Sequence, residues 1–149
     1  MTTPLSPSLK VRLAERAAFV RRTALDMAVR AKAGHVTTAF SQAEVLCYLY
    51  YSFLKFDPKE PRWVGRDRFI LSKGQGGMGL YPILSDLGFF PWHHVENYTG
   101  RGSILGVHSE WNIPGVEVIT GSLGHGLPIG TGMALWARRA SLGHLVVVM

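Results

Sequence analysis

"ITGSLGHGLPIGTGM", residues 119–133, carries five glycines in fifteen residues, and a helical pattern from Ala134 to Arg139 follows directly. Glycine in a helix interior is about 1 kcal/mol less favourable than alanine, so glycines gathered at a helix start imply that something approaches the backbone closely. The helix is expected to run to about Ser141, closed by Gly143, and to lead into "HLVVVM", residues 144–149. The run Val146-Val147-Val148 reads as a central parallel strand, covered on both faces. Upstream, "RFILS" (68–72) reads as a second buried strand. It is followed by the turn "KGQGGMG" and a short helix in "LYPILSDLG" ended by Gly88. Strand-turn-helix units in alternation define an α/β fold with a parallel sheet. Two strands are too few for a stable sheet core. The fold is therefore expected to be incomplete in this chain, with further sequence or another chain supplying the rest. Ligands of such folds bind beyond the carboxyl ends of the strands.

The remainder of the chain reads as mostly helical. A first helix is expected from about Ser8 to Ala33, stopped by Gly34. A second is expected to open at Ser41, whose spacing to Glu44 is that of a capping box, and to reach about Lys55. "PWHHVENY" reads as a further helix with Pro91 in its first turn, and residues 99–119 as a long loop. The 149 residues are enough for one ordinary domain, and 47% are hydrophobic, which excludes a disordered chain. No apolar run is long enough to span a membrane and no signal peptide is visible, so a cytoplasmic location without membrane attachment is expected. Cys47, the single cysteine, has no disulfide partner here and is expected to be buried as a small hydrophobe.

The net charge is +6, and seven of the sixteen basic residues fall within residues 10–32. They share a helix with the apolar stripe Leu13, Ala17, Val20, Ala24, Ala28 and Ala31, and read as a solvated or subunit-facing helix face. Nucleic-acid binding gains no support, because neither zinc spacing nor an aromatic RNA-binding pattern is present. A basic surface would also suit phosphorylated small molecules.

"GQGGMG", Gly74 to Gly79, matches G-x-G-x-x-G after a strand. The acidic residue that a dinucleotide site needs would have to be Glu96, which falls in the helical reading of "WHHVENY", so a tight strand-to-helix turn is the better account. His93-His94 could suggest a metal, but neighbours on a helix point apart, and a surface pair is expected. His35, His108 and His125 stand in loops beside glycines. Loop imidazoles at tight turns are candidate donors to phosphate or hydroxyl oxygens.

Three stretches taken together, "AGHVTTAFSQAEVL", "DRFILSKGQGGMGLYPILSDLGFF" and "GVEVITGSLGHGLPIGTGMA", resemble three successive motifs of the transketolase amino-terminal domain. The resemblance runs in register from about residue 20 to Met149. It implies a thiamine-diphosphate-binding fold and transfer of a two-carbon ketol unit between sugars, usually phosphorylated. Gly121, Ser122 and Leu123 match the turn whose main chain contacts the cofactor, and Thr38 matches a small hydroxyl residue near it. His35 and His108 match substrate-facing histidines. Gln75 stands where the motif Leu-Ser-Lys-Gly-His has its histidine. As a cofactor contact it could donate a hydrogen bond but not exchange a proton near neutrality. Val36-Thr37 likewise replaces the usual Pro-Gly or Pro-Thr.

The resemblance further implies a magnesium ion whose ligands, an Asp-Gly motif and a later asparagine, would follow the last strand. They lie outside these residues, as does the glutamate that activates the cofactor. The implied partners are a pyrimidine-binding transketolase domain or carboxy-terminal subunit, in a homodimer or heterotetramer, with the cofactor between subunits. Two other readings fit the residues. One is a related thiamine enzyme such as a deoxyxylulose-phosphate synthase. The other is a non-catalytic partner subunit that keeps the fold, with Gln75 as its support.

Overall fold

A computed structural model describes residues 4–149. Helix α1 (Pro7–Ala31) starts where Ser6 accepts a hydrogen bond from the Leu9 amide and Pro7 takes the first helical position. It ends one residue before Lys32, which is left-handed at φ 51°, with Gly34 following at φ 111°. Helix α2 spans Val36–Tyr48 and runs into a π-helical turn, Leu49–Phe53. Strand β1 is Arg68–Ile70, followed by a 3-10 turn, Gly74–Gly76, and helix α3, Gly77–Asp86. A single helical turn α4 (His93–Glu96), a long loop, helix α5 (Gly126–Arg139) and strand β2 (Val146–Val148) complete the order.

The strands pair in parallel, Arg68 with Val146, Phe69 with Val147 and Ile70 with Val148. Alternation sends Phe69, Leu71, Val147 and Met149 to one face, against the core formed by α1, α2 and α3. The other face meets α5, where a Cβ on Gly126 would lie 2.7 Å from Ile70 Cγ2 and one on Gly130 would lie 2.4 Å from Val148 Cγ2. The result is three layers, α5, the sheet, and the α1–α3 bundle, as α/β patterning requires. Val146–Val148 is half-buried, because it is paired along one edge only. The core centres on Val20, Met27, Leu46, Tyr81, Ile83 and Leu84, all fully buried. Cys47 is among them, and burial raises its thiol to about 11.

Three expectations need correction. The capping box at Ser41 and Glu44 does not form, because α2 begins five residues earlier. Ser41 sits inside the helix and its hydroxyl donates to the Thr38 carbonyl at 3.0 Å. Glu44 instead accepts from Arg21 Nη2 at both carboxylate oxygens, each at 2.6 Å, and that contact holds its carboxyl below the usual range. The basic face of α1 is thus partly paired within the chain, and Arg16 likewise meets Asp86 at 3.0 Å. Second, the helix expected to reach Lys55 loses α-helical pitch at Leu49, and only a π turn follows. Third, "PWHHVENY" forms one turn rather than a helix, because the residues after it are drawn into a tight loop: the Thr99 amide bonds the Leu105 carbonyl at 3.0 Å.

Candidate functional site

Two loops meet beyond the carboxyl end of β1: Leu71–Gly76, which follows the strand, and Ile119–His125, which precedes α5. Five hydrogen bonds lace them. The Gly74 amide donates to Thr120 O at 2.9 Å, the Gly124 amide to Ser72 O at 3.3 Å, and the Gly126 amide to Ser72 Oγ at 3.0 Å. The buried Thr120 hydroxyl donates to the Leu71 carbonyl, and Gln75 Nε2 donates to the Gly121 carbonyl at 2.9 Å.

This geometry sorts the glycines of the 119–133 stretch into three kinds. Gly126 and Gly130 lack a Cβ so that α5 can lie against the sheet, and Gly74 across the loop makes room for the Thr120 backbone at 2.6 Å. Gly124 is left-handed at φ 86°, a conformation that favours glycine. Gly121 and Gly132 answer to neither need. A Cβ at either would meet nothing within 4 Å, and no left-handed φ demands glycine at either. Gly132 lies inside α5, whereas Gly121 lies in the turn that Gln75 holds. Its bareness faces open space.

That space adjoins an open cleft of about 470 Å³ lined by Thr37, Thr38, Ser41, Lys73, Gln75 and Leu123. Helical spacing puts Thr37, Thr38 and Ser41 on one side of α2's first turns. Lys73 is the one cation in the lining, and its ammonium lies 3.5 Å from Ser41 Oγ. His35 is the residue before α2 and carries no side-chain capping bond. Gly34 holds it there, because a Cβ at Gly34 would lie 2.1 Å from Met78 Sδ and 3.1 Å from the Tyr98 hydroxyl. His108, 73 positions on, comes within 5.8 Å of His35 between ring centroids. Its segment is pinned by the Tyr81 hydroxyl, which donates to Gly106 O at 3.0 Å. Behind the pair, Tyr98 is buried and its phenol is pushed up to about 12 by that burial. Among the described residues, neither its hydroxyl nor that of buried Ser109 has a hydrogen-bond partner.

From separate stretches of the sequence the fold brings Thr38, Gln75 and Leu123 to one cleft, ties Gly121 to Gln75, and sets His35 beside His108 next to the start of α2. Lys73, Thr37 and Ser41 do not stand out in the sequence as lining residues. The signal for them is the spacing of Thr37, Thr38 and Ser41 along a helix that starts earlier than its pattern suggests. His125 joins neither histidine and stands exposed at the start of α5. His93 and His94 do not form a surface pair that points apart. Their rings lie 4.0 Å apart, and His94 is half-buried, accepting the Ile104 amide at Nδ1 over 3.4 Å. Burial, and then His93, lowers the His94 imidazole below its usual range. Among the described residues no group of three or more His, Cys, Asp or Glu side chains is placed to hold a metal. The glycines of "GQGGMG" are accounted for by packing, with Gly76 and Gly79 against Gln42 and Gly77 against Tyr81.

Fold and site define an α/β ligand-binding domain whose cleft opens at the carboxyl end of a parallel sheet. Residues 13–143 match the family described as "Transketolase, thiamine diphosphate binding domain". Among curated relatives, an apulose-4-phosphate transketolase subunit of Phocaeicola vulgatus is 39% identical over 118 residues, 79% of this chain and 42% of that protein. A 6-deoxy-6-sulfo-D-fructose transketolase subunit of Clostridium sp. is 37% identical, over 85% of this chain and 46% of its own length. Among solved structures, transketolase from Leishmania mexicana superposes with a TM-score of 0.86 at 28% identity, covering 91% of this chain and 22% of that one. Transketolase from Campylobacter jejuni gives 0.80 at 34% identity, covering 87% and 20%. The chain belongs to the transketolase family, in its thiamine-diphosphate-binding domain. It spans less than half the length of the first two relatives.

The residues present fit that cofactor. The Gly121 turn is bare on its open side, and the adjoining cleft offers hydroxyls and one cation to an anionic group. Among the described residues no helix is long and apolar enough to cross a membrane.

Proposed function

We propose that this chain is the leading part of the diphosphate-binding region of a transketolase that moves a two-carbon ketol unit from a ketose to an aldose, with sugar phosphates as substrates. The observation that carries the reading is the juxtaposition of His35 and His108, 5.8 Å apart, at the start of the helix whose Thr37 and Thr38 line the cleft, with Gln75, bonded to Gly121, lining it from across. Imidazoles give and take protons near neutrality, so two of them can orient sugar hydroxyls and hold a proton at a ring nitrogen. Thr38 and the main chain of Gly121, Ser122 and Leu123 hold thiamine diphosphate, and Lys73 favours an anion in the cleft. Bound there, the cofactor supplies the nucleophilic carbon and electron sink for breaking and forming the carbon–carbon bond. Magnesium takes its ligands from sequence outside these residues. A pyrimidine-binding domain or partner subunit completes the site, a reading supported by relatives named as subunits. We assign an assembly of homodimer or heterotetramer type and a cytoplasmic location, which suits a free buried thiol at Cys47.

In the assembled protein His35→Ala is expected to lower turnover or raise the sugar KM about ten- to a hundredfold, the loss of one charge-assisted hydrogen bond of about 1.5–3 kcal/mol. Affinity for thiamine diphosphate should stay within a few fold. A comparable fall in cofactor affinity with unchanged sugar kinetics would contradict the assignment. One observation, Gln75 at the motif histidine, favours a second reading, a non-catalytic partner subunit. Full cofactor binding by the unaltered protein without turnover on any ketose and aldose phosphate pair would support it.

A further inference from the structure

Gln75 sits on a rigid base. The Gly76 carbonyl behind it accepts Gln42 Nε2 at 2.6 Å, and Gln42 is buried at 1% exposure. The Gly74 amide is fixed on Thr120 O at 2.9 Å. Opposite lies Gly121–Leu123, which is exposed and lightly held. Outside its own turn, where the His125 amide meets Ser122 O at 3.4 Å, this segment has one hydrogen bond among the described residues, that from Gln75 Nε2 to Gly121 O at 2.9 Å. The other end of the same amide, Oε1, is enclosed and meets no donor among the described residues. Turning the amide over would set Oε1 against the Gly121 carbonyl, two acceptors facing each other, so the donor end is fixed on the turn.

We propose that Gln75 is a positioning residue that latches the Gly121 turn to the loop after β1, setting that turn's main chain for the ligand before the ligand arrives. The consequence rests on the reading of the cleft as a thiamine diphosphate site. Gln75 serves that site through Gly121 and not as a proton-exchanging contact. Because an amide does not titrate, the latch holds equally across the neutral pH range. A carboxylate in its place would present an acceptor to an acceptor until it is protonated, when its O–H could again donate to Gly121 O.

The test uses the assembled protein with Gln75→Met and Gln75→Glu. Hydrogen-exchange protection of the Gly124 and His125 amides is measured without ligand, and thiamine diphosphate with magnesium is titrated by calorimetry. Losing one net hydrogen bond in Gln75→Met is expected to lower protection at Gly124 and His125 about two- to tenfold, leaving the Gly74 and Gly76 amides unchanged, and to weaken cofactor affinity by a similar factor. In Gln75→Glu the same loss is expected at neutral pH, with protection returning as pH is lowered and the carboxyl takes up its proton. Unchanged protection at Gly124 and His125 in Gln75→Met, or no recovery at low pH in Gln75→Glu, would overturn the latch. If the unaltered protein binds no thiamine diphosphate, the functional reading fails while the exchange result still decides the latch.

Discussion

A Cβ on Gly130 would lie 2.4 Å from Val148 Cγ2, whereas one on Gly132, two residues along the same helix, would meet nothing within 4 Å. Gly130→Val should therefore force α5 off the sheet and lower stability by about 1–3 kcal/mol, the usual range for overpacking. Gly132→Ala should leave this chain's own packing intact. Denaturant unfolding separates the two, and equal effects would mean that the helix does not seat as described. A second residue-scale prediction concerns pH. Burial lowers His94, with His93 as the second cause, and burial also lowers His144, with Arg68 second. In the unfolded chain both return toward 6.5 and bind protons more readily. Their contribution to stability is thus present above pH 6.5 and is lost as pH falls through the lowered folded-state values. The melting temperature is expected to drop in that window, and less steeply in His94→Gln, which cannot take up the proton. A melting temperature that is flat or rises on acidification would contradict this.

The long loop before α5 is tied to the start of β1 by one ion pair, Arg66 with Glu117, whose side chains are only 12% and 11% exposed. Both guanidinium amines reach the carboxylate, the Nη2–Oε2 contact at 3.0 Å, and Arg66 also donates to the carbonyls of Pro61 and Asp67. Glu117→Ala would leave Arg66 enclosed without its partner and is expected to cost about 3–5 kcal/mol. A loss below about 1 kcal/mol in thermal or denaturant unfolding, the range of an exposed pair, would show that the bridge is solvated. The elements themselves are readable in the sequence, because Phe69-Ile70 and Val146–Val148 are apolar runs and "LSKGQGGMG" and "ITGSLG" mark where strands yield to turns. Element boundaries are harder. Ser41 and Glu44 have capping-box spacing, yet Glu44 answers to Arg21 on another helix, a tertiary contact that no local pattern contains. The single turn at His93–Glu96 is followed at once by a tight loop closed by its own hydrogen bonds, Thr99 amide to Leu105 carbonyl among them, a loop chemistry that the helical pattern of "PWHHVENY" does not announce. The site is legible as separate motifs, since residue type marks His35, His108 and Gly121. The meeting of His35 with His108 across 73 positions, and of Gln75 with Gly121 across 46, is tertiary and is contained in no local pattern.

At the scale of the molecule, the three layers bring the loops that carry Gln75 and Gly121 together at the carboxyl end of β1, and the layers account for half-buried β2 and for exposed Leu127, Leu135 and Trp136 on α5. The net charge of +6 favours an anionic ligand over long range. The proposed cofactor contact at Gly121 requires that its bareness serve a ligand and not the fold. Calorimetric titration of thiamine diphosphate with magnesium into the assembled protein and its Gly121→Val variant, each first shown to melt cooperatively, decides between the two. Because a Cβ at Gly121 meets no protein atom within 4 Å, the variant is expected to fold with a melting temperature near that of the unaltered protein and to show no saturable binding where the unaltered protein does. A folded Gly121→Val protein that binds the cofactor with unchanged affinity would contradict this role for Gly121.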